Sequence, residues 1–390
     1  MQVVYLDYNL TRQELLDPGN INEDTRSFSR HGLHHILKLH HLSRDLLGAL
    51  DNLLSCKTIS HYVYPDFDQT GCVIISGSES DLNFLTRALE SSGGCCTKLG
   101  LLINKALDGA INNANNSLLL GGRYYNLDEK TLVMGILNVT PDSFSDGGRF
   151  NNFDKALAQA YQMAEDGADI IDIGGESTRP GYEKAERVSA AEEINRVLPL
   201  INTLKKDNAF RLPISIDTYK AETAEQALAA GADLLNDVWG FKEDQNIATV
   251  AAKYNVPVCL MHNRRSTLYN DLIADIIQEL QVSVDLADQA GVETNTIILD
   301  PGIGFGKEHH QNLDVMLHLR EIKALGFPLL LGTSRKRIVG NTLNLPVDDR
   351  VEGTAATIAY GISAGVDIVR VHDVKEMRRV VDMTDALVRR

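Results

Sequence analysis

From Thr131 onward the chain alternates short apolar runs with longer amphipathic stretches, and this alternation limits its possible folds more than any other feature. Eight runs occur: LVMGIL closing on Asn138, DIIDIG before Gly175, PISI closing on Asp217, LLN with Asp237, PVCLM before His262, IILD at Asp300, PLLLG before Ser334 and DIVRV before His372. Helical periodicity lies between them, as in Lys155–Glu165, Ala221–Ala230, Leu272–Gln289 and Thr354–Ser363. Nearly continuous apolar strands separated by helices are the pattern of a parallel sheet covered by helices. Residues 131–390 match the roughly 250 residues of a (β/α)8 barrel, whereas a doubly wound sheet usually needs fewer strands. The expectation is an α/β protein built on a (β/α)8 TIM barrel. Nearly every run ends in a polar residue, namely Asn138, Asp217, Asn236, Asp300, Lys336, Arg370 and His372. In a barrel such positions converge on one mouth, where an active site belongs.

The preceding segment reads differently, and residues 1–125 are expected to form a small α+β domain whose role the sequence does not define. Periodicity predicts a helix over Leu33–Leu54, CVIIS at Cys72–Ser76 predicts a strand, and Ser80 is placed to cap a helix over Asp81–Leu89. The Asn- and Gly-rich stretch Asn112–Asn126 reads as an exposed linker. His31, His34, His35, His40 and His41 have helical spacing without accompanying carboxylates or cysteines, so they read as a solvated helix face and not as metal ligands. A net charge of −15 repels nucleic-acid phosphates and anionic lipid, so any anion must be caught by a local basic pocket. Five cysteines with no C-x-x-C pair point to a reducing cytoplasm. The start MQVVYLDYNL is unlike a secretory signal, and no apolar run approaches the roughly 20 residues of a membrane span, so a soluble protein is expected.

Chemistry is expected where loops follow the strands. Asn138 opens NVTPDSFSDGG and offers a neutral oxygen suited to a Mg2+ shared with phosphate oxygens, with Asp142 and Asp146 either assisting or capping turns. Arg179 in GGESTRPG, beside Thr178 and Pro180, can meet an anion with two parallel hydrogen bonds or pin its own loop. Asp217, Asn236 and Asp300 present two carboxylates and an amide, a set able to read the N–H and NH2 edge of a flat heterocycle. Ser334, Arg335 and Lys336 open a helix and suggest an anion or carbonyl site. Arg370 and His372 alternate onto one side of the last strand and can hold a pyrophosphate leaving group. Gly302–Lys307 imitates a phosphate loop, but Pro301 stands where a glycine is needed and Glu308 where Ser or Thr is needed, so it reads as a glycine-rich loop alone.

Taken in order, MGILNVTPDSFSDGG from Met134, DIGGESTRPG from Asp172, SIDT from Ser215, LLNDV from Leu234, CLMH from Cys259, LDPGIGFGK from Leu299, GTSRK from Gly332 and IVRVHDV from Ile368 resemble the dihydropteroate synthase family across residues 131–390. The resemblance implies a barrel enzyme joining 6-hydroxymethyl-7,8-dihydropterin diphosphate to 4-aminobenzoate, with release of pyrophosphate. It implies that Asp217, Asn236, Asp300 and Lys336 hold the pterin, that Thr178, Arg370 and His372 hold the diphosphate, and that Asn138 binds Mg2+. Asp217, Lys336 and Arg370 are the implied catalytic residues. Phe144, Thr178, Arg179 and Pro180 would lie over the aminobenzoate, and a homodimer is implied. Many relatives carry Ser after the lysine that Lys336 matches, whereas this chain has Arg337, which leaves the aminobenzoate carboxylate contact open. Two other functions compete: a pterin-dependent methyltransferase, disfavoured by STRPG and SRK, and a silent pterin-binding module, disfavoured by Asn138, Arg370 and His372.

Overall fold

The computed structural model describes residues 2–6, 35–54, 59–65, 71–112, 116–140, 149–176 and 188–389. The chain divides into two compact units, Met1–Asn115 with Arg320–Gly326, and Asn116–Leu319 with Phe327–Arg390.

In the first unit, β1 (Gln2–Leu6), β2 (His35–Leu42), β3 (Ser60–Pro65) and β4 (Gly71–Gly77) form an antiparallel sheet in the order β1-β2-β4-β3. Three described helices join it: α1 (Arg44–Leu54), α2 (Glu79–Ser91) and α3 (Gly94–Asn112). The helix expected over Leu33–Leu54 is thus a strand followed by a shorter helix. Leu37 and Leu39 are buried at the two-residue period of a strand, whereas Leu46, Leu50 and Leu54 recur every four residues. The boundary is Ser43, whose Oγ accepts from the Leu46 N–H at 3.4 Å. His35, His40 and His41 therefore belong to β2, while His31 and His34 lie outside the described residues. Ser78, and not Ser80, caps α2, accepting from the Asp81 N–H at 3.2 Å.

The second unit is the barrel. All eight expected strands are present: β7 (Leu132–Asn138), β8 (Ile170–Gly174), β9 (Ile214–Asp217), β10 (Leu234–Asp237), β11 (Val258–Met261), β12 (Ile297–Asp300), β13 (Leu330–Leu331) and β14 (Ile368–Val371). They pair in parallel in the order β12-β11-β10-β9-β8-β7-β14-β13. A Leu299–Leu329 bridge brings β12 to the β13 edge, closing the cylinder. Between the strands in sequence lie α4 (Arg149–Glu165), α5 (Ala190–Lys206), α6 (Ala221–Ala229), α7 (Asn246–Tyr254), α8 (Leu272–Ala290), α9 (His309–Leu317), α10 (Leu319–Lys323), α11 (Arg337–Leu343) and α12 (Val351–Ser363), with α13 (Val374–Val388) last; of these, α10 from Arg320 on groups with the first unit. Among the described residues no helix is long and apolar enough to cross a membrane.

Three helix-to-strand joints use one device, written Gly-x-Asp in the sequence. Gly167, Gly231 and Gly365 leave their helices in the left-handed region, at φ of 96°, 100° and 94°. The next N–H returns to the helix in each case, as Ala168 to Met163, Ala232 to Ala227 and Val366 to Gly361. The following aspartate then accepts from a neighbouring strand: Asp169 from Val133 N–H, Asp233 from Ile214 N–H and Asp367 from Leu329 N–H, at 2.9, 2.8 and 2.8 Å. Each carboxylate satisfies a backbone donor where the sheet ladder begins.

The stretch read as a linker is partly structural. Residues 117–126 form an antiparallel hairpin of β5 (Ser117–Leu120) and β6 (Arg123–Asn126). Its Leu118 and Leu120, with Leu127, are buried in one apolar layer with Leu132, Met134, Ile170, Leu234, Cys259, Ile298, Leu330 and Ile368. These barrel residues stand at or near the starts of their strands, so the hairpin seals the end opposite the mouth. Composition suggested exposure because Asn, Gly and Arg dominate the turn, yet alternation along SLLL still buries every second residue. A chain shortened to begin at Asn116 is expected to unfold cooperatively with near-native stability. One beginning at Leu127 loses two core leucines, at roughly 2 to 5 kcal/mol each, and is expected to melt earlier or aggregate. Urea denaturation of the two shortened chains compares them.

Candidate active site

Strand register gathers the polar strand ends. Asn138 pairs with Gly174, Gly174 with Asp217 and Asp217 with Asn236, so one rung crosses four strands at the mouth. Asp300 ends β12 opposite Met261, and Lys336 is the N-cap residue of α11. Arg370 starts lower, paired with Met134, and its long side chain meets the carboxylates. Arg370 Nε donates to Asp172 Oδ2 and Nη2 to Asp217 Oδ2, both at 2.6 Å. Asn236 Nδ2 donates to the same Asp172 oxygen at 3.1 Å. Asp217, Asn236, Asp300, Lys336 and Arg370 thus share one array.

Asp172 is the member that motif reading missed. It is fully buried in the middle of an apolar strand, and a charge there is costly unless paired. The signal was an acidic residue inside DIIDIG, two positions before Gly174 and therefore on the same face of β8.

The array is buried but incompletely satisfied. Among the described residues, Asp172 Oδ1, Asp217 Oδ1 and Ser215 Oγ are buried without a hydrogen-bond partner. Acceptors in this state suit a ligand that brings donors. Burial pushes the Asp217 carboxyl up, to about 7, against the pull of Arg370. Asp300 is also raised by burial, with Lys336 opposing. Burial lowers Lys336 to about 8, with Asp300 opposing that shift. For Arg370, burial disfavours the charge, but Asp172 and Asp217 outweigh it and hold the guanidinium protonated. Lys336 Nζ also donates to Ile303 O at 2.7 Å and lies 4.7 Å from the Phe305 ring centroid.

The three side chains of the Ser334-Arg335-Lys336 segment have separate partners. Ser334 Oγ accepts from His372 N–H at 3.1 Å and lies 3.1 Å from His372 Nδ1, which fixes the imidazole beside the end of β14. Arg335 is paired with Asp373, its Nε donating at 3.0 Å, so its charge is already met. Arg337 is exposed at the start of α11. Asn138 is half-buried, and its Oδ1 stands beside Gly174, 3.5 Å from where a Cβ would project. Thr178, Arg179 and Pro180 lie outside the described residues, as do Asp142, Phe144 and Asp146. Glu176, two residues past the end of β8, is held by Lys220, which also binds Glu193 at 2.7 Å. Among the described residues no group of three or more His, Cys, Asp or Glu side chains is arranged to hold a metal ion.

A buried cation between carboxylates at a barrel mouth can orient a polar heterocycle and carry an anion beside it. Known proteins agree with that chemistry. The pterin binding enzyme family matches residues 134–372. A dihydropteroate synthase of Clostridium beijerinckii is 57% identical over 272 residues, 70% of this chain and 99% of its own length. The crystal structure of a Clostridium difficile dihydropteroate synthase, in the presence of pteroic acid, is 51% identical with a TM-score of 0.66, covering 68% of this chain and all of that one. A Xanthomonas albilineans dihydropteroate synthase with 4-aminobenzoic acid is 38% identical with a TM-score of 0.65, covering 70% of this chain and 98% of that one. Motif order, barrel closure and these likenesses coincide, and the chain belongs to the dihydropteroate synthase family of pterin-binding transferases.

Proposed function

We propose that dihydropteroate synthesis in this chain is carried by the buried charge array around Arg370. The reaction joins 6-hydroxymethyl-7,8-dihydropterin diphosphate to 4-aminobenzoate and releases pyrophosphate. In this reading Asp217, Asn236, Asp300 and Lys336 hold the pterin, with the unpartnered Asp217 Oδ1 accepting from its N–H edge. Arg370, His372 and Thr178 take the diphosphate, and Thr178, Arg179 and Pro180 lie over the aminobenzoate with Phe144. The amine forms the new C–N bond at the pterin methylene as the C–O bond to pyrophosphate breaks, and the amine proton is lost to solvent. Arg370 stabilises charge on the leaving group, while Asp217 and Asp300 stabilise positive charge developing on the pterin. No protein nucleophile is needed.

Asn138 is the protein oxygen suited to a Mg2+, because that ion keeps several waters and binds few protein groups. Its place beside Gly174 on the Asp217 rung supports this. When bound, Mg2+ supplies charge neutralisation to the diphosphate. A homodimer is supported by apolar side chains exposed on α12 and α13, namely Tyr360, Met383, Leu387 and Val388. A reducing, cytoplasmic setting fits a chain of five cysteines with no C-x-x-C pair.

The observation that carries this reading is the guanidinium shared by Asp172 and Asp217. Two substitutions test it by contrast. Asp300→Asn sets donor against donor at the ring edge and is expected to weaken pterin binding by about 1 to 3 kcal/mol, more than it weakens Mg2+ binding. Arg370→Ala is expected to weaken the diphosphate ester and pyrophosphate by more than it weakens free hydroxymethyl pterin, whose acceptor Asp217 loses its partner. Calorimetry with each ligand separates the two patterns, and equal loss for ester and free pterin removes Arg370 from the anion site.

Acidity supplies a further check. With its carboxyl raised to about 7, Asp217 is neutral below that pH and ionised above it. Pterin affinity is therefore expected to fall as pH drops through about 7, because a protonated carboxyl offers the ring N–H groups one acceptor fewer. Asp217→Asn is expected to flatten this limb. Affinity measured from about pH 5.5 to about 8.5 covers both protonation states.

A further inference from the structure

The loop from Pro301 to Lys307 folds around its own last side chain. Lys307 is 8% exposed, and its Nζ donates to the carbonyls of Gly302 and Phe305 at 3.0 and 3.1 Å and contacts His262 Nδ1 at 2.9 Å. An ammonium has three donors, and all three are used. Burial pushes Lys307 down, to about 7, with the nearby Asp300 carboxylate opposing that shift. His262 is fully buried, and its Nε2 lies 3.2 Å from Glu279 Oε2. Burial pushes its pKa down to about 3, so the imidazole is neutral. Because an ammonium only donates, Nδ1 is the acceptor and the ring proton sits on Nε2, which makes no hydrogen bond of its own among the described residues. Gly302 makes the wrapping possible: its φ is +69°, and a Cβ there would fall 1.9 Å from the His262 carbonyl oxygen.

The outer side of the same loop touches two residues of the mouth. Gly302 N–H donates to Asp300 Oδ1 at 2.7 Å, Ile303 O accepts from Lys336 Nζ at 2.7 Å, and the Phe305 ring stands against that ammonium. We propose that Lys307, seated on His262, is a positioning residue of the pterin site: it sets the 302–305 backbone that aims the Asp300 carboxylate and the Lys336 ammonium. The cation of this phosphate-loop imitation points inward at its own backbone, where a true phosphate loop points its lysine outward. This role rests on the reading that Asp300 and Lys336 meet the pterin.

The test uses the full chain. Lys307→Met keeps the length of the side chain and orphans three acceptors. The KM for the pterin diphosphate is expected to rise about tenfold or more, the scale of lost charge-assisted hydrogen bonds. By contrast, kcat, the KM for aminobenzoate and the affinity for pyrophosphate are expected to change by less than about threefold. Hydrogen exchange at the Gly302 amide, in the free enzyme, is expected to quicken. A merely structural role would lower melting temperature and yield but leave the KM of the folded enzyme unchanged. His262→Asn keeps an acceptor near Nδ1 and is expected to retain wild-type pterin KM, whereas His262→Leu reproduces Lys307→Met. Where Lys307→Met yields no folded protein, the His262 pair decides by the same measurement. An unchanged pterin KM in Lys307→Met, equal losses for both substrates and kcat, or equal damage from His262→Asn and His262→Leu would overturn the proposal. Wild-type pterin affinity in Asp300→Asn, together with faster loop exchange in Lys307→Met, would instead overturn the site reading while leaving the lysine as the loop's anchor.

Discussion

A guanidinium enclosed in a barrel makes demands on everything around it. Removing an ion from water costs several kcal/mol even after the protein relaxes, and only well-placed opposite charges offset this. Arg370 meets the requirement through Asp172 on β8 and Asp217 on β9, strands far from β14 in sequence and two and three places from it in the sheet, so the guanidinium reaches them across the barrel interior. A register slip of one residue on either strand would turn its carboxylate toward the helices and leave the cation unpaired. The polar ends of the strands therefore constrain the register as firmly as the apolar layer at the opposite end.

Two lysines near the mouth show how similar side chains separate into different tasks. Lys336 reaches from the N-cap of α11 to the Ile303 carbonyl and stands in the field of Asp300, Arg370 and Asp217. Lys307 has its donors directed at Gly302, Phe305 and His262. One cation faces the open array and the other faces the protein. The loop between them is shared, so the geometry of the first depends on the packing of the second. An overall charge of −15 therefore says little about the mouth, where the local arrangement of ions governs what can bind.

The strand ends were legible because a barrel imposes one geometric rule on them, and Asp217, Asn236 and Asp300 obey it, whereas Arg370 starts lower and reaches the array by its length. Asp172 escaped notice because a motif reader looks past the end of a strand, and its meaning depends on an arginine 198 residues away. Lys307 and His262 escaped for a related reason: the glycine pattern was compared with a phosphate loop and found wanting, while the fold uses the lysine on its own carbonyls. Arg335 and Ser334 have partners that the sequence alone does not show, Asp373 and His372. In the first unit, Leu37 and Leu39 fit a strand, but their neighbours continue into a true helix, and a single window merges the two periods.

The Gly-x-Asp joints bear on how such a cylinder assembles. Asp169 reaches Val133 and Asp233 reaches Ile214 over 36 and 19 residues, so these clasps can form as successive strand-helix units emerge. Contacts of short sequence separation form early because little loop entropy opposes them. Pairing of β14 with β7 is another matter, joining Ile368 to Leu132 across nearly the whole barrel. The same event delivers Arg370 to Asp172 and Asp217. Without β14 in place Asp172 and Asp217 would lack their cation, so its pairing completes both the sheet and the centre of charge. Closure of the barrel and assembly of the candidate site thereby depend on the same strand.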